Sequence, residues 1–410
     1  MKTLQMKYII PMADKKKMTF HTIPINSNRK EFNWKEKYSK EYIKNGEDNL
    51  FPNHLIEMYN KSSVHAACIN AITQGIIGEG LTANEETYLI KANSKGQSWN
   101  DLFQMAALDY KLHGSFAFEV IYSKDRNRAE YYHIDFSYIR AAEKDHRGHV
   151  PGYYVCTEWD RKKRFSNSLK EGDEVMYLPN YNPEQRLEEP SQIFVHHAYR
   201  PGQEYYPLPD YVAALRVIEL DTEVDNFHVS NIKNGLAPSL AITTFTNGSD
   251  DQVSTIEAQL RANYGGSDNA GALIYMDVAD KEAKPEITPI PQNGADGYYS
   301  DVNDMVMQKL LTAHRITSPM ILGIKTQGQL GGRDETVDAY LLFQNSVIVP
   351  YQQNILASLE ALMQFNYPDI VLGVEQRKLY SDGEEEVAIV TDSETTDREQ
   401  IDIEQPELLA

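Results

Sequence analysis

One stretch constrains the fold more than any other: residues 206–235, YPLPDYVAALRVIELDTEVDNFHVSNIKNG. Pro207 and Pro209 open it and Asp210 is a good helix N-cap, while Asn234-Gly235 and then Pro238 read as its stop. About 24 residues lie between without Gly or Pro, which predicts a helix roughly 36 Å long at 1.5 Å per residue. At 100° per residue, Ala213, Val217, Leu220, Val224 and Phe227 share one face. Tyr211, Leu215, Ile218, Val229 and Ile232 share a second, with Arg216, Glu219 and Glu223 on one side between them and Asp221 and Asp225 on the other. A helix with a single apolar stripe packs on a single core. Two stripes divided by charge call for neighbours on both sides, which a ring of like subunits supplies and which burial inside one domain also supplies.

The chain has 410 residues, 41% of them apolar, enough to bury a sizeable core in two or three structural units. Its net charge of −20 argues against a broad surface that grips nucleic-acid phosphate, which needs clustered Lys and Arg. It leaves room for a surface past which nucleic acid slides. Two cysteines, Cys68 and Cys156, make neither a disulfide framework nor a Cys-based zinc site, and a reducing compartment is expected. The N-terminal apolar run, Tyr8-Ile9-Ile10, ends at Pro11 and is too short for a signal peptide or a membrane span, so a cytoplasmic place of assembly is expected.

In chain order, residues 1–48 read as a partly disordered polar arm. Helical spacing covers Asn53 to Ile77 and then Trp99 to His113, the latter stopped by Gly114. Residues 115–122 alternate as a strand does, and YYHIDFSYIRAAE, GYYVCTEW, EVMYLPNY and QIFVHHAYR read as further short strands. This half is α+β. Beyond the central helix, SLAITTF, ALIYMDV and PEITPI read as strands and Ser249 to Tyr264 as an amphipathic helix, a small αβ insert. A second long helix is expected from about Asp296 to Thr317. Gly323 to Arg333 is a loop with four glycines and only positive charges. A third long helix follows from about Asp334 to Met363, with a kink at Pro350. From Ser381 to Ala410 there are 11 Asp and Glu against one Arg, the composition of a disordered acidic tail.

Signals for catalysis are poor. Gly265 to Gly271 lacks the Gly-Lys-Ser/Thr ending of a phosphate loop and joins a helix to a strand rather than the reverse, which reads as a turn. His196 and His197 are adjacent, so in a strand they face opposite ways and cannot hold one ion together. HExxH, GxSxG and CxxC are all missing from the sequence, and no cofactor is expected. Carboxylates such as Glu219 and Glu223 are paired at i, i+4, and an acidic carboxylate-dependent hydrolase is the enzyme alternative they allow.

The order of these elements resembles the portal proteins of tailed bacteriophages, in particular the branch of phage HK97 and its PBSX-type relatives. The resemblance spans about residues 60–365 and is carried by SSVHAACINAITQGIIGEGL, DLFQMAALDYKLHGSFAFEVIY, YYPLPDYVAALRVIELDTEVDNFHVSNIKNGLAPS, NYGGSDNAGALIYMD, LTAHRITSPMILGI and LLFQNSVIVPYQQNILASLEALM. It implies a portal fold with an α+β wing (49–205), a first stem helix (206–235), a clip (236–293), a second stem helix (294–320) and a tunnel loop with a kinked tunnel helix (321–366). An acidic tail or minimal crown (367–410) would follow. The implied function is a ring, usually of twelve subunits, at one capsid vertex of the virion, through which double-stranded DNA is packaged and ejected. The implied partners are the terminase large subunit, a head–tail adaptor, the major capsid protein and scaffold, with no membrane. The DNA-facing tunnel residues would be Lys325, Thr326, Gln327, Gln329 and Arg333. Ring contacts in the stem would be Leu215, Ile218, Leu220, Val224, Phe227, Val306 and Leu310, and clip contacts to motor or adaptor Asn263, Tyr264, Ser267, Asp268 and Asn269. Another phage ring or connector component is the alternative within the same class.

Overall fold

The computed structural model of the chain describes residues 33–160, 174–233, 241–244, 274–277, 295–324 and 333–377. It opens on a short antiparallel hairpin, β1 (Lys37–Tyr38) and β2 (Ile43–Lys44). This corrects the expectation of a loose arm up to residue 48, at least from residue 33 onward. Tyr42 and Ile43 are buried, and Ile43 shares a core with Phe136 and Ile139. The Glu36 carboxylate accepts the backbone N–H groups of Tyr205 and Tyr206, each at 2.7 Å. Two apolar side chains and one carboxylate suffice to tie this polar segment down.

The helical pattern from Asn53 to Ile77 is two helices, α1 (Phe51–Lys61) and α2 (Ser63–Ile77). Ser62 divides them in an extended conformation (φ −92°, ψ 116°), and its hydroxyl accepts the His65 N–H at 3.1 Å as an N-cap. Strand β3 (Gly80–Ala83) leads to α3 (Trp99–His113), which begins in a capping box between Ser98 and Asp101. Gly114 ends α3 at φ 79°, where a Cβ would meet the Leu208 carbonyl oxygen at 2.9 Å.

The strands expected next form two antiparallel sheets. In one, β4 (Ala117–Tyr122) lies between β5 (Ala129–Ile134) and β9 (Ser191–Val195), with Phe118 opposite His133 and Phe194. In the other, β6 (Ile139–Ala141), β7 (Gly152–Val155) and β8 (Met176–Pro179) run as a meander. The run YYHIDFSYIRAAE is therefore two strands, β5 and β6, parted by a 3-10 turn over Phe136–Tyr138 that the Asp135 side chain caps. Alternation alone could not place that corner.

The long central helix enters through a 3-10 turn, Val212–Ala214, and continues as α4 (Leu215–Lys233). Asp210 does not cap it; its carboxylate is taken up by Lys111 and Tyr351 instead. The stop signal at Asn234-Gly235 lies outside the described residues. Strands β10 (Ala241–Thr244) and β11 (Ile274–Asp277) pair in parallel. The PEITPI strand and the Ser249 to Tyr264 helix lie outside the described residues.

Helix α5 (Ala295–Ala313) stops four residues before the expected Thr317. Arg315 takes a left-handed conformation (φ 57°), the Arg315 N–H bonds the Thr312 carbonyl, and the Ile316 N–H bonds the Leu311 carbonyl at 2.9 Å. This is a Schellman stop in which arginine occupies the place usual for glycine, and Leu311 and Ile316 close it within one core. The third long helix is interrupted where Pro350 predicts. Helix α6 (Arg333–Phe343) passes into a π-helical turn (Gln344–Ile348) and then α7 (Val349–Met363). Proline brings no N–H to the carbonyl of Ser346 and crowds it, and the chain widens by a residue just upstream.

Strand β12 (Leu372–Glu375) returns to pair antiparallel with β3. The acidic tail therefore starts later than residue 367, and residues 381–410 lie outside the described ones. The larger core joins α2, α3, β4, β5 and α7, with Ile72, Phe103, Phe118, Ile355 and Leu359 all fully buried. Each such side chain contributes about 1.5–3 kcal/mol. A second core joins α1, α4 and α5 through Leu55, Ile218 and Leu310.

Candidate functional site

The most unusual chemistry lies where α2, α3, α4, α5 and α7 meet. The buried residues Phe103, Ala107 and Lys111 follow one another at i, i+4 spacing along α3, so the stripe that enters the core ends in a lysine. The Lys111 side chain is wholly buried. Its Nζ donates to Asp210 Oδ1 at 2.8 Å and to the Tyr351 hydroxyl at 3.3 Å, and that hydroxyl in turn donates to Asp210 Oδ2. Arg315 Nη2 stands 3.8 Å from the same Oδ2 from the open side. The Lys111 ammonium also lies over the rings of Tyr211 and Tyr351, 5.6 and 5.4 Å from their centroids. Burial lowers the Lys111 pKa while Asp210 works the other way. Burial also raises the Tyr351 hydroxyl, with Asp210 adding to it, so Tyr351 holds its proton and donates it.

Beside this cluster, His65 Nδ1 and His314 Nε2 are 2.9 Å apart, and both rings pack against Tyr211. Both residues are fully buried, and among the described residues neither His65 Nε2 nor His314 Nδ1 has a hydrogen-bond partner. Burial, with Lys111 nearby, pushes His65 down to about 3 and His314 well below its usual range. Both are neutral at neutral pH. Among the described residues no group of three His, Cys, Asp or Glu could hold a metal ion. Further along, on α4, Asp221 Oδ2 accepts the Ser62 hydroxyl at 2.7 Å, and burial raises that carboxyl.

His196 serves structure, as its sequence context suggests. Its ring stacks on Phe116 with a 6° interplanar angle, and its Nδ1 lies 2.8 Å from Ser358 Oγ. Glu219 and Glu223 are half-buried along α4. A cleft of about 300 Å³ lined by Asn70, Thr73, Gln104 and Met105 carries no carboxylate, and neither does one of about 190 Å³ lined by Gly75, Tyr340, Gln344 and Arg377.

The predicted stem contacts divide. Leu215, Ile218, Val306 and Leu310 are 3%, 0%, 1% and 0% exposed and share one core with Phe51 and Leu55. They are covered by their own chain, which corrects their reading as contacts between subunits. Val224 is also buried and Phe227 is half-buried, whereas Leu220 is 38% exposed. Lys325, Thr326, Gln327 and Gln329 lie outside the described residues, and Arg333 is described only as the start of α6. Asn263, Tyr264, Ser267, Asp268 and Asn269 also lie outside them. Sequence reasoning missed Ser62, His65, Lys111, His314 and Tyr351. For Lys111 the signal was present, since a lysine in register with Phe103 and Ala107 stands on a buried stripe.

The profile of the family described as "Phage portal protein" matches residues 67–382. The chain belongs to this family. Portal proteins are structural components of virions. Solved structures agree on the fold. A chain in the virion of a native gene transfer agent particle superposes with a TM-score of 0.52 at 14% identity, covering 81% of this chain and 84% of that one. A chain from the neck of the native particle, computed with C12 symmetry, gives 0.52 and 14% over 83% and 85%. A portal protein of the HK97 family from Corynebacterium diphtheriae gives 0.40 and 10% over 77% and 93%, too distant to carry an argument. No curated protein matches the chain. The α+β architecture, with long helices α4 and α5 on either side in sequence of the paired strands β10 and β11, is that of a portal. Among the described residues no helix is long and apolar enough to cross a membrane.

Proposed function

We propose that this chain assembles into a ring, of twelve subunits, at one vertex of a phage capsid, and that DNA enters and leaves through its central tunnel. The observation that carries this is the succession of α4, the paired strands β10 and β11, α5, and then α6 and α7 joined by a π-helical turn, within a chain of the portal family. In this reading α4 and α5 are the stem, 236–293 the clip that docks the terminase large subunit and then the head–tail adaptor, and α6–α7 the tunnel helix. Lys325 to Arg333 is the loop nearest the DNA, with Asn263, Tyr264, Ser267, Asp268 and Asn269 on the clip surface. Major capsid protein and scaffold meet the outer parts, and the ring assembles in the host bacterial cytoplasm. The C12 neck of the gene transfer agent supports the subunit number by likeness of fold.

The charge of −20 suits a conduit, because DNA that must move cannot be held along the whole wall, and a few cations at the constriction suffice. The exposed stem residues Leu220 and Val229, with Phe227 beside them, are the apolar groups a neighbouring subunit would cover. The protein has no enzymatic role in this reading; the packaging motor is a partner. Negative-stain electron microscopy with mass photometry on the full chain tests the proposal. Closed rings with a central hole are expected, and compact dimers without rings at any salt concentration would overturn it.

A further inference from the structure

The tunnel helix is held unevenly. Helix α7 is embedded, with Ile355, Leu359, Leu362 and Met363 fully buried. Helix α6 is held less fully: its last residue Phe343 is buried, but Leu342 is 59% exposed, and a hydrogen bond from Thr317 Oγ1 to the Ala339 carbonyl, 2.8 Å, ties it to the segment after α5. The π-helical turn sits between the two. It is fastened on one side by a chain of glutamines, Gln344 to Gln376 and Gln376 to Gln352, ending at 3.0 Å on the carbonyl of Ile76. On the other side, at the start of α7, Tyr351 is bound to Asp210.

The Asp210 side chain is 31% exposed, yet its carboxylate is held from several sides. It directly precedes the turn into α4, its first oxygen is bound to a wholly buried lysine from α3, and its second faces both Tyr351 and Arg315. Arg315 itself is fixed by the stop of α5, in a left-handed conformation that is unfavourable for a non-glycine residue. One carboxylate thus touches the wing helix α3, the entry to stem helix α4, the exit of stem helix α5 and the start of α7.

We propose that Asp210 is a positioning residue that sets where the tunnel helix begins relative to both stem helices, through the hydroxyl of Tyr351. The π-helical turn is the place where the chain yields when that clamp is released. The wedge between α2, α6 and Arg377, where Gln344 Oε1 has no partner among the described residues, gives the turn space to yield into. The inference rests on the portal reading only in naming the wing, stem and tunnel helices; the clamp belongs to the single chain.

Hydrogen exchange of the full chain, read by mass spectrometry, tests it. Tyr351→Phe removes one hydroxyl and none of the ring packing. The amides of 333–355 are expected to exchange about tenfold faster, while those of α1 and α3 keep the wild-type rate. Asp210→Asn should loosen the same peptides, and Asp210→Asn with Tyr351→Phe should loosen 333–355 no further than Asp210→Asn alone. If Asp210→Asn does not fold, Asp210→Glu replaces it, keeping the charge and displacing the carboxylate, with the same local pattern expected. Unchanged exchange in Tyr351→Phe, acceleration spread equally over α1 and α3, or additive effects in the double variant would each overturn the proposal. Because the readout does not depend on a ring, its failure would leave the micrographs to decide the portal reading separately.

Discussion

Ile348 sits so close to Gly75 that a Cβ on Gly75 would lie 2.7 Å from Ile348 Cδ1. The π-helical turn reaches the core only because α2 has no side chain at that point. Gly75→Ala is therefore expected to lower stability by about 1–3 kcal/mol despite the better helix propensity of alanine. Ile348→Val, which removes the clashing carbon, should return part of the loss. Urea denaturation of the two single variants and the double variant measures this.

Ile218 and Leu220 are two residues apart on α4, yet one is fully buried and the other 38% exposed. Ile218→Asp places a charge in the core of its own protomer and should destabilise folding by about 4 kcal/mol or more. Leu220→Asp should leave protomer stability within about 0.5 kcal/mol and reduce the yield of rings. Circular dichroism melts and mass photometry separate the two effects. A Leu220→Asp protein that forms rings as readily as wild type would remove that residue from the interface.

The neutral His65–His314 pair fixes the sign of a pH dependence. The pKa of His65 is lowered on folding to about 3 from its ordinary 6.5, so below pH 6.5 the unfolded chain binds protons that the folded one refuses. Stability contributed by the pair is complete above pH 6.5 and is lost as pH falls from there toward 3. At pH 5 the loss from His65 alone is about 2 kcal/mol. Melting scans between pH 7.5 and 5 should show a steeper fall for wild type than for His65→Gln.

Ser62 caps α2 and donates to the buried Asp221. Ser62→Ala removes both bonds and should cost about 1–3 kcal/mol. The cost should shrink in an Asp221→Asn background, where no carboxylate is left stranded. A double-mutant cycle by urea denaturation reads the coupling, and strict additivity would show that the bond carries no energy.

What was legible in the sequence was local. Ser98 with Asp101 at one end of α3 and Gly114 at the other each act on immediate neighbours in the chain, so its ends could be read directly. Pro350 announced an interruption, because the loss of an N–H is a property of one residue; that the chain answers with a π-helical turn depends on Gly75 and Ile348 meeting across two helices. The same limit explains Asp210. It has the chemistry of an N-cap, and only the arrival of Lys111 and Tyr351 from distant parts of the chain assigns its carboxylate elsewhere. His65 and His314, 249 residues apart, carry no mutual signal in a single sequence. Periodicity found two apolar faces on the central helix, but it could not say which of them the protomer covers for itself.

The pairing of β3 with β12 is extended by Asn84 and Val371, 287 residues apart, whose contact brings the departure and return of the intervening chain to one spot. Everything between is an excursion with fastened ends. Closing such a loop is slow, so this ribbon is among the last contacts to form. Yet each doubling of loop length adds only about 0.6 kcal/mol to the closure cost. Segments far out on the excursion can therefore lengthen or shorten at little expense to the fold, while the clasp stays as it is.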